Sequence, residues 1–253
     1  MRIGGKRLSP MMLFGIILVS IGVGSLLRPD ASTSGTEETA APCDVDRDPL
    51  CVTPGGDPGS NAPVLQASDV CTNDSGYLCA GLDMQNRIQL RRWKDFDGPI
   101  IVHIPRPTAE SDGHSRRLQA AAAAGVRAWN GQPFAITVDQ RGTMDAHFSV
   151  RWRRSLGGAQ IGVARTRWSL AGGLEVQRIE LATHSPAGGG SLDPESVRLV
   201  AAHEMGHALG ILEHSDSERD VMYPSNTANA LTARDYRTMD ALYAVPDGAF
   251  VVR

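Results

Sequence analysis

The chain has 253 residues, of which 42% are hydrophobic and 21% charged, enough apolar material for a real core and ordinary for a globular protein. Its formal charge of -3 is too small to imply a polyanion partner such as nucleic acid, and no long basic stripe runs along it. Composition alone says nothing further about function.

The first 28 residues differ in kind from the rest. Arg2, Lys6 and Arg7 precede an uncharged run from Met11 to Leu27, which Arg28 and Asp30 close. A basic head before an apolar core reads as a secretion signal or, because no convincing small-x-small cleavage site follows, as an uncleaved membrane anchor. Both readings put the remainder outside the cytoplasm. The four cysteines, Cys43, Cys51, Cys71 and Cys79, all follow shortly after. An even count in an exported chain predicts two disulfides, with the local loops Cys43–Cys51 and Cys71–Cys79 the simplest of three pairings. A zinc cluster is the rival reading, but short Cys-x-x-Cys spacing is missing. Residues 29–90 are rich in Pro, Gly, Ser, Thr and Asp and read as a linker with local staples.

From Arg91 the pattern becomes that of a folded domain, expected over 91–253. Pro99 to Ile104 predicts a strand stopped by Pro105 and Pro107, and Ser115 to Asn130 a helix closed by Gly131. Four strands follow over 134–138, 146–152, 160–168 and 174–183. Asp193, Pro194 and Glu195 make a strong helix start, and that helix runs to Leu209 before Gly210. A last helix is expected from Thr232 to Tyr243, giving an α+β domain.

The segment His203-Glu-Met-Gly-His207 sets two imidazoles four residues apart on that helix. At about 3.6 residues per turn they share one face, about 6 Å apart along the axis, where both reach one ion. Imidazole suits Zn²⁺, and three protein ligands leave a position for water. Glu204 sits beside them as a general base rather than a ligand. Gly210 then lets the chain turn back, His214 follows, and Met222 comes in the run Asp220-Val-Met-Tyr-Pro224.

On HEMGHALG, then HS, then VMYP, the sequence resembles the metzincin superfamily, and within it the matrixins. The resemblance covers residues 91–246, strongly over 193–243, where Leu231 to Tyr243 looks like the family's C-terminal helix. It implies a twisted mixed sheet with a backing helix, an active-site helix and a C-terminal helix. It also implies catalytic zinc on His203, His207 and His214, Glu204 as base and Met222 in a turn beneath the metal. The family pattern has Gly-x-x-His, whereas Glu213 occupies that place here and His214 is one residue late. Glu213 is therefore an alternative third ligand. The His-Ser pair and the step from His214 to Met222 favour His214, with the extra residue absorbed in a loop. The family's second zinc and its calcium use a His/Asp-rich loop. No such spacing surrounds Asp145 or His147, which leaves calcium as the weaker expectation.

The implied activity is zinc-dependent endopeptidase action on extracellular proteins. An extended substrate would pair with the strand over Gln160 to Thr166, and residues 224–230 would wall the main pocket. The alternatives are an exported binding or adhesion module that retains the fold without proteolysis, and a zinc hydrolase of non-peptide amides. His103, His114, His147 and His184 read as structural.

Overall fold

The computed structural model describes residues 62–83, 86–94, 98–169, 173–186, 189–225 and 227–253. In chain order the elements are β1 (Val64–Gln66), α1 (Ala67–Val70), β2 (Arg87–Gln89), β3 (Ile100–His103) and α2 (Asp112–Arg127). There follow β4 (Ile136–Asp139), β5 (Phe148–Arg153), β6 (Gly162–Ser169), β7 (Gly173–Ala182), α3 (Pro194–Ala208), α4 (Ala233–Ala244) and β8 (Phe250–Val252).

Five strands form one sheet in the order β4-β3-β5-β7-β6, parallel except for β6, which runs antiparallel along the edge beside β7. This is the mixed α+β architecture expected of a matrixin catalytic domain. Period-two alternation sends Ile100, Val102, Phe148, Val150, Ile179 and Leu181 to one face, where all are buried. Leu118, Ala122 and Val126 of α2 and Val200, Ala201 and Met205 of α3 belong to the same core. Each large side chain so buried contributes about 1.5–3 kcal/mol. The helices start where side chains can satisfy their free N–H groups. The Ser111 hydroxyl accepts from His114 N–H at 3.1 Å, Asp193 accepts from Ser196 N–H at 2.9 Å, and Thr232 and Asp235 form a capping box.

Residues 62–90 depart from the linker expected over 29–90. Their β1 and β2 flank β8 in a second, three-stranded sheet. Tyr77, Leu78, Leu82, Ile88 and Leu90 are buried in the main core. Short elements without periodicity hid this: a three-residue strand shows too little alternation to read, and its partner β8 lies at the other end of the chain. Cys71–Cys79 is bonded as expected, while Cys43 and Cys51 lie outside the described residues. Among the described residues no helix is long and apolar enough to cross a membrane, and the Met11–Leu27 run lies outside them.

Candidate metal centre

Helix α3 is enclosed on nearly every side: eleven of its residues, from Val197 through Ala208, are buried. Its last two turns carry the two imidazoles, His207 in the final one. The helix ends in a Schellman motif, with Gly210 N–H on the His207 carbonyl at 3.0 Å and Ile211 N–H on Gly206 at 3.1 Å. Gly210 has φ +111°, and a Cβ there would run into the Arg91 carbonyl, so glycine is required. Two further C-terminal carbonyls are satisfied from outside the helix. Trp93 Nε1–H donates to Ala208 at 2.7 Å, and the Tyr243 hydroxyl donates to Leu209 at 2.8 Å.

The turn at Gly210 brings His214 back to α3. The ligating atoms of His203, His207 and His214 lie within 4.8 Å of one another, and His203 and His207 are almost wholly buried. His203 Nδ1 is 2.7 Å from the Val221 carbonyl, and His207 Nδ1 is 2.6 Å from that of Ile211. A carbonyl only accepts, so each Nδ1 carries the proton and each Nε2 presents a lone pair. The Nε2 atoms of all three histidines are buried without a protein hydrogen-bond partner. Burial lowers the pKa of all three rings, His203 to about 3, so they are held neutral as metal ligation requires. Three convergent neutral imidazoles with orphaned nitrogens fit Zn²⁺.

Glu204 is buried at 1% exposure, and its Oε1 also lacks a protein partner. Burial pushes its carboxyl up to about 8, opposed by the Ala164 N–H and by the charge of Arg165. A dication on the histidines would pull it back down. Gly162 at the start of β6 permits this packing, because a Cβ there would lie 2.7 Å from Glu204 Oε1. Gly206 plays a similar part beneath the site, where a Cβ would collide with Met222 Sδ. Met222 itself is fully buried.

Glu213 is not among the converging donors. Its carboxyl faces the residue 80–83 turn, where a Cβ on Gly81 would lie 2.9 Å from it, and burial raises its pKa. The inserted residue thus points away from the imidazoles. Tyr223 is half-buried in the turn, its N–H on the Asp220 carbonyl at 3.1 Å. Among the remaining histidines, His103 Nδ1 lies 3.0 Å from the Asp139 carbonyl, and His147 Nδ1 accepts from Ile101 N–H at 3.0 Å. Among the described residues no second group of three or more His, Cys, Asp or Glu side chains converges, so nothing supports calcium.

Residues 128–244 match the Matrixin family model. This segment is a matrixin domain. The matched family and the histidine triad together make the protein a zinc metalloendopeptidase that takes peptide or protein substrates. No curated protein matches the chain.

The sequence reading missed the layer that holds this matrixin site in place. Asp235 accepts from Val221 N–H at 3.3 Å, steadying the peptide unit whose neighbour orients His203, and from the Tyr77 hydroxyl at 2.6 Å. Asp220 accepts from Ser215 at 2.5 Å and Arg234 at 2.9 Å, tying both ends of the loop between His214 and Met222. The capping-box spacing Thr232-x-x-Asp235 was a signal for one of these acids. Nothing local marked Tyr77.

Proposed function

We propose that the protein is an exported endopeptidase in which Glu204 is the general base and His203, His207 and His214 hold the catalytic zinc. One observation carries this reading: the Nε2 atoms of three converging imidazoles are buried and unpartnered, and Glu204, next to His203 on α3, carries a buried carboxylate oxygen that also lacks a partner. A binding module has no use for the carboxylate.

Zinc, when bound, supplies Lewis acidity that polarises a peptide carbonyl and acidifies water. Glu204 takes the proton from the attacking water and delivers it to the departing amine. Val221 and Ile211 carbonyls fix the tautomers of His203 and His207 throughout. The edge position of β6 supports strand addition by an extended substrate along Gln160 to Thr166. Ala228 packs with Ala202 and Val221, in keeping with residues 224–230 as one wall of the main pocket. The burial of Tyr77, Leu78, Leu82, Ile88 and Leu90 in the main core supports a catalytic unit that begins near Val64 rather than Arg91. Export follows from the basic and apolar N-terminal segment and agrees with the Cys71–Cys79 disulfide.

A peptide library incubated with and without chelator tests the activity, with chelator-sensitive cleavage expected. Glu204→Gln is expected to lower kcat by about 100- to 10,000-fold with zinc content unchanged. Turnover at the wild-type rate in that variant overturns the assignment of the base.

A further inference from the structure

The outer face of the sheet, turned away from α3, is built of charge. Along β5, Ser149, Arg151 and Arg153 point outward; β7 adds Glu175, Arg178 and Glu180, and β6 adds Val163, Arg165 and Arg167. No basic run marks this in the sequence, because alternation puts only about every second residue of each strand on that face, a register shift at Arg165/Thr166 keeping Glu175 opposite Arg167 there. The register then sets the arginines side by side, with Arg165 opposite Arg178 and Arg178 opposite Ser149. Strands lie about 4.8 Å apart, so five guanidinium groups share one small surface.

The acids on this face do not neutralise it. Glu180 is shared by Arg153, Arg165 and Arg178 at 3.0–3.4 Å, and Glu175 pairs with Arg167 at 2.5 Å. Arg151 is exposed, as is Arg154 just beyond β5, and neither has an acid partner among the described residues. The patch continues into a pocket of about 480 Å³ whose wall includes Arg106, Trp152, Arg153, Arg154, Thr183 and His184 and holds no carboxylate. Arg106 there is occupied by Asp112 at 2.9 Å, and Thr183 Oγ1 lies 2.8 Å from His184 Nδ1. A pocket of that size admits a whole sugar unit.

We propose that this face and its pocket bind a linear acidic polysaccharide, one whose sugars carry carboxylate or sulfate groups. All the cations are arginines, whose planar forks bind such groups through paired hydrogen bonds. A flexible polymer with one charge per sugar matches a flat, spaced array better than a compact anion does. Nucleic acid fits less well, because no aromatic ring stands on the outer face to stack a base. Trp152 contributes to the pocket wall rather than to the open face, and its Nε1–H is held by the Pro105 carbonyl at 2.7 Å. A membrane fits less well too, since the face offers no apolar side chain long enough to insert. The overall charge of -3 conceals the patch, as averages over a whole surface do. Because the face lies across the sheet from α3, a bound polymer leaves the peptidase site open. The inference is independent of the peptidase reading.

The test uses the full chain with polygalacturonate and dextran sulfate as probes and neutral dextran as control, by titration calorimetry at near-physiological salt. Both acidic polymers are expected to bind, with affinity falling steeply as salt rises, and neutral dextran not to bind. The double variant Arg151→Glu/Arg154→Glu is expected to weaken binding by about tenfold or more, because two unpaired guanidinium groups become repulsive. Its turnover of a soluble peptide should be unchanged. If that variant is poorly folded by circular dichroism, Arg154→Gln alone, in an exposed loop, carries the measurement and should still weaken binding. Equal binding by variant and wild type overturns the proposal. So does binding of single-stranded DNA or phosphatidylglycerol vesicles as tight as that of polygalacturonate.

Discussion

Helix α3 with its returning loop and the N-terminal stretch from Val64 to Leu90 both press on the same metal centre, by opposite means. Helix α3 is one long element, strongly capped, buried around most of its circumference, and it carries two of the three converging imidazoles and the buried Glu204 carboxyl. The N-terminal stretch is a set of three- and four-residue pieces closed by a disulfide. It reaches the site's supporting residues through the Tyr77 hydroxyl on Asp235, the Tyr77 ring beneath Arg234 and the Gly81 turn against Glu213. The difference teaches that a site can be specified locally and held remotely. Ligand spacing is a property of one helix, whereas ligand orientation depends on carbonyls anchored by residues far away in sequence.

The boundary between the two regions runs through the adjacent residues Glu213 and His214, and that is where the comparison breaks most sharply. His214→Ala is expected to lower zinc affinity by at least about 100-fold, beyond the loss typical of an orienting partner. Glu213→Ala should leave it within about twofold. Competition with a chromophoric chelator measures both, and the reverse ranking would make Glu213 the ligand. Next in size is the disulfide. Cys71 and Cys79 are eight residues apart, and replacing both by Ser should cost about 2–3 kcal/mol of unfolding free energy by denaturant titration. If the N-terminal stretch were only a tether, that change would leave the domain's midpoint where it was.

Tyr77→Phe removes one buried donor and leaves Asp235 short of a partner. Burial and the Asp235 carboxylate hold the Tyr77 hydroxyl well above its ordinary pKa, so it stays a donor at any working pH. A loss of about 1–3 kcal/mol is expected, together with weaker zinc binding, because Asp235 also fixes the Val221 peptide unit. Unchanged zinc affinity in a destabilised variant would limit Tyr77 to packing.

The smallest effect concerns the start of α3. Burial pushes the Asp193 carboxyl up, but hydrogen bonds from the Ser196 hydroxyl and N–H outweigh it and leave the pKa lowered. A depressed folded value means the cap's contribution is present above the ordinary aspartate range and is lost as pH falls through the folded value. Asp193→Asn should cost about 1 kcal/mol or less at neutral pH, solvent exposure having screened the charge, and the gap should close under acid. Urea midpoints for both proteins across that pH range measure it.

Sequence alone determined the parts of this protein that are local. Long periodic elements announced themselves: α3 through its cap and its glycine stop, α4 through Thr232, the sheet through alternation. Helical geometry fixed His203 and His207 on one face, with Glu204 beside them, before any fold was known, and the matrixin resemblance added Met222. Tertiary structure decided what depends on distant pairing. It chose His214 over Glu213 as the residue converging on His203 and His207, because only the course of the loop after Gly210 sets which side chain faces α3. It joined β1 and β2 to β8 across the length of the chain, turning an expected linker into core. It also gathered scattered arginines onto one sheet face. In each case the deciding quantity was the register or packing of segments far apart in sequence, and short segments carry too little pattern to encode it by themselves.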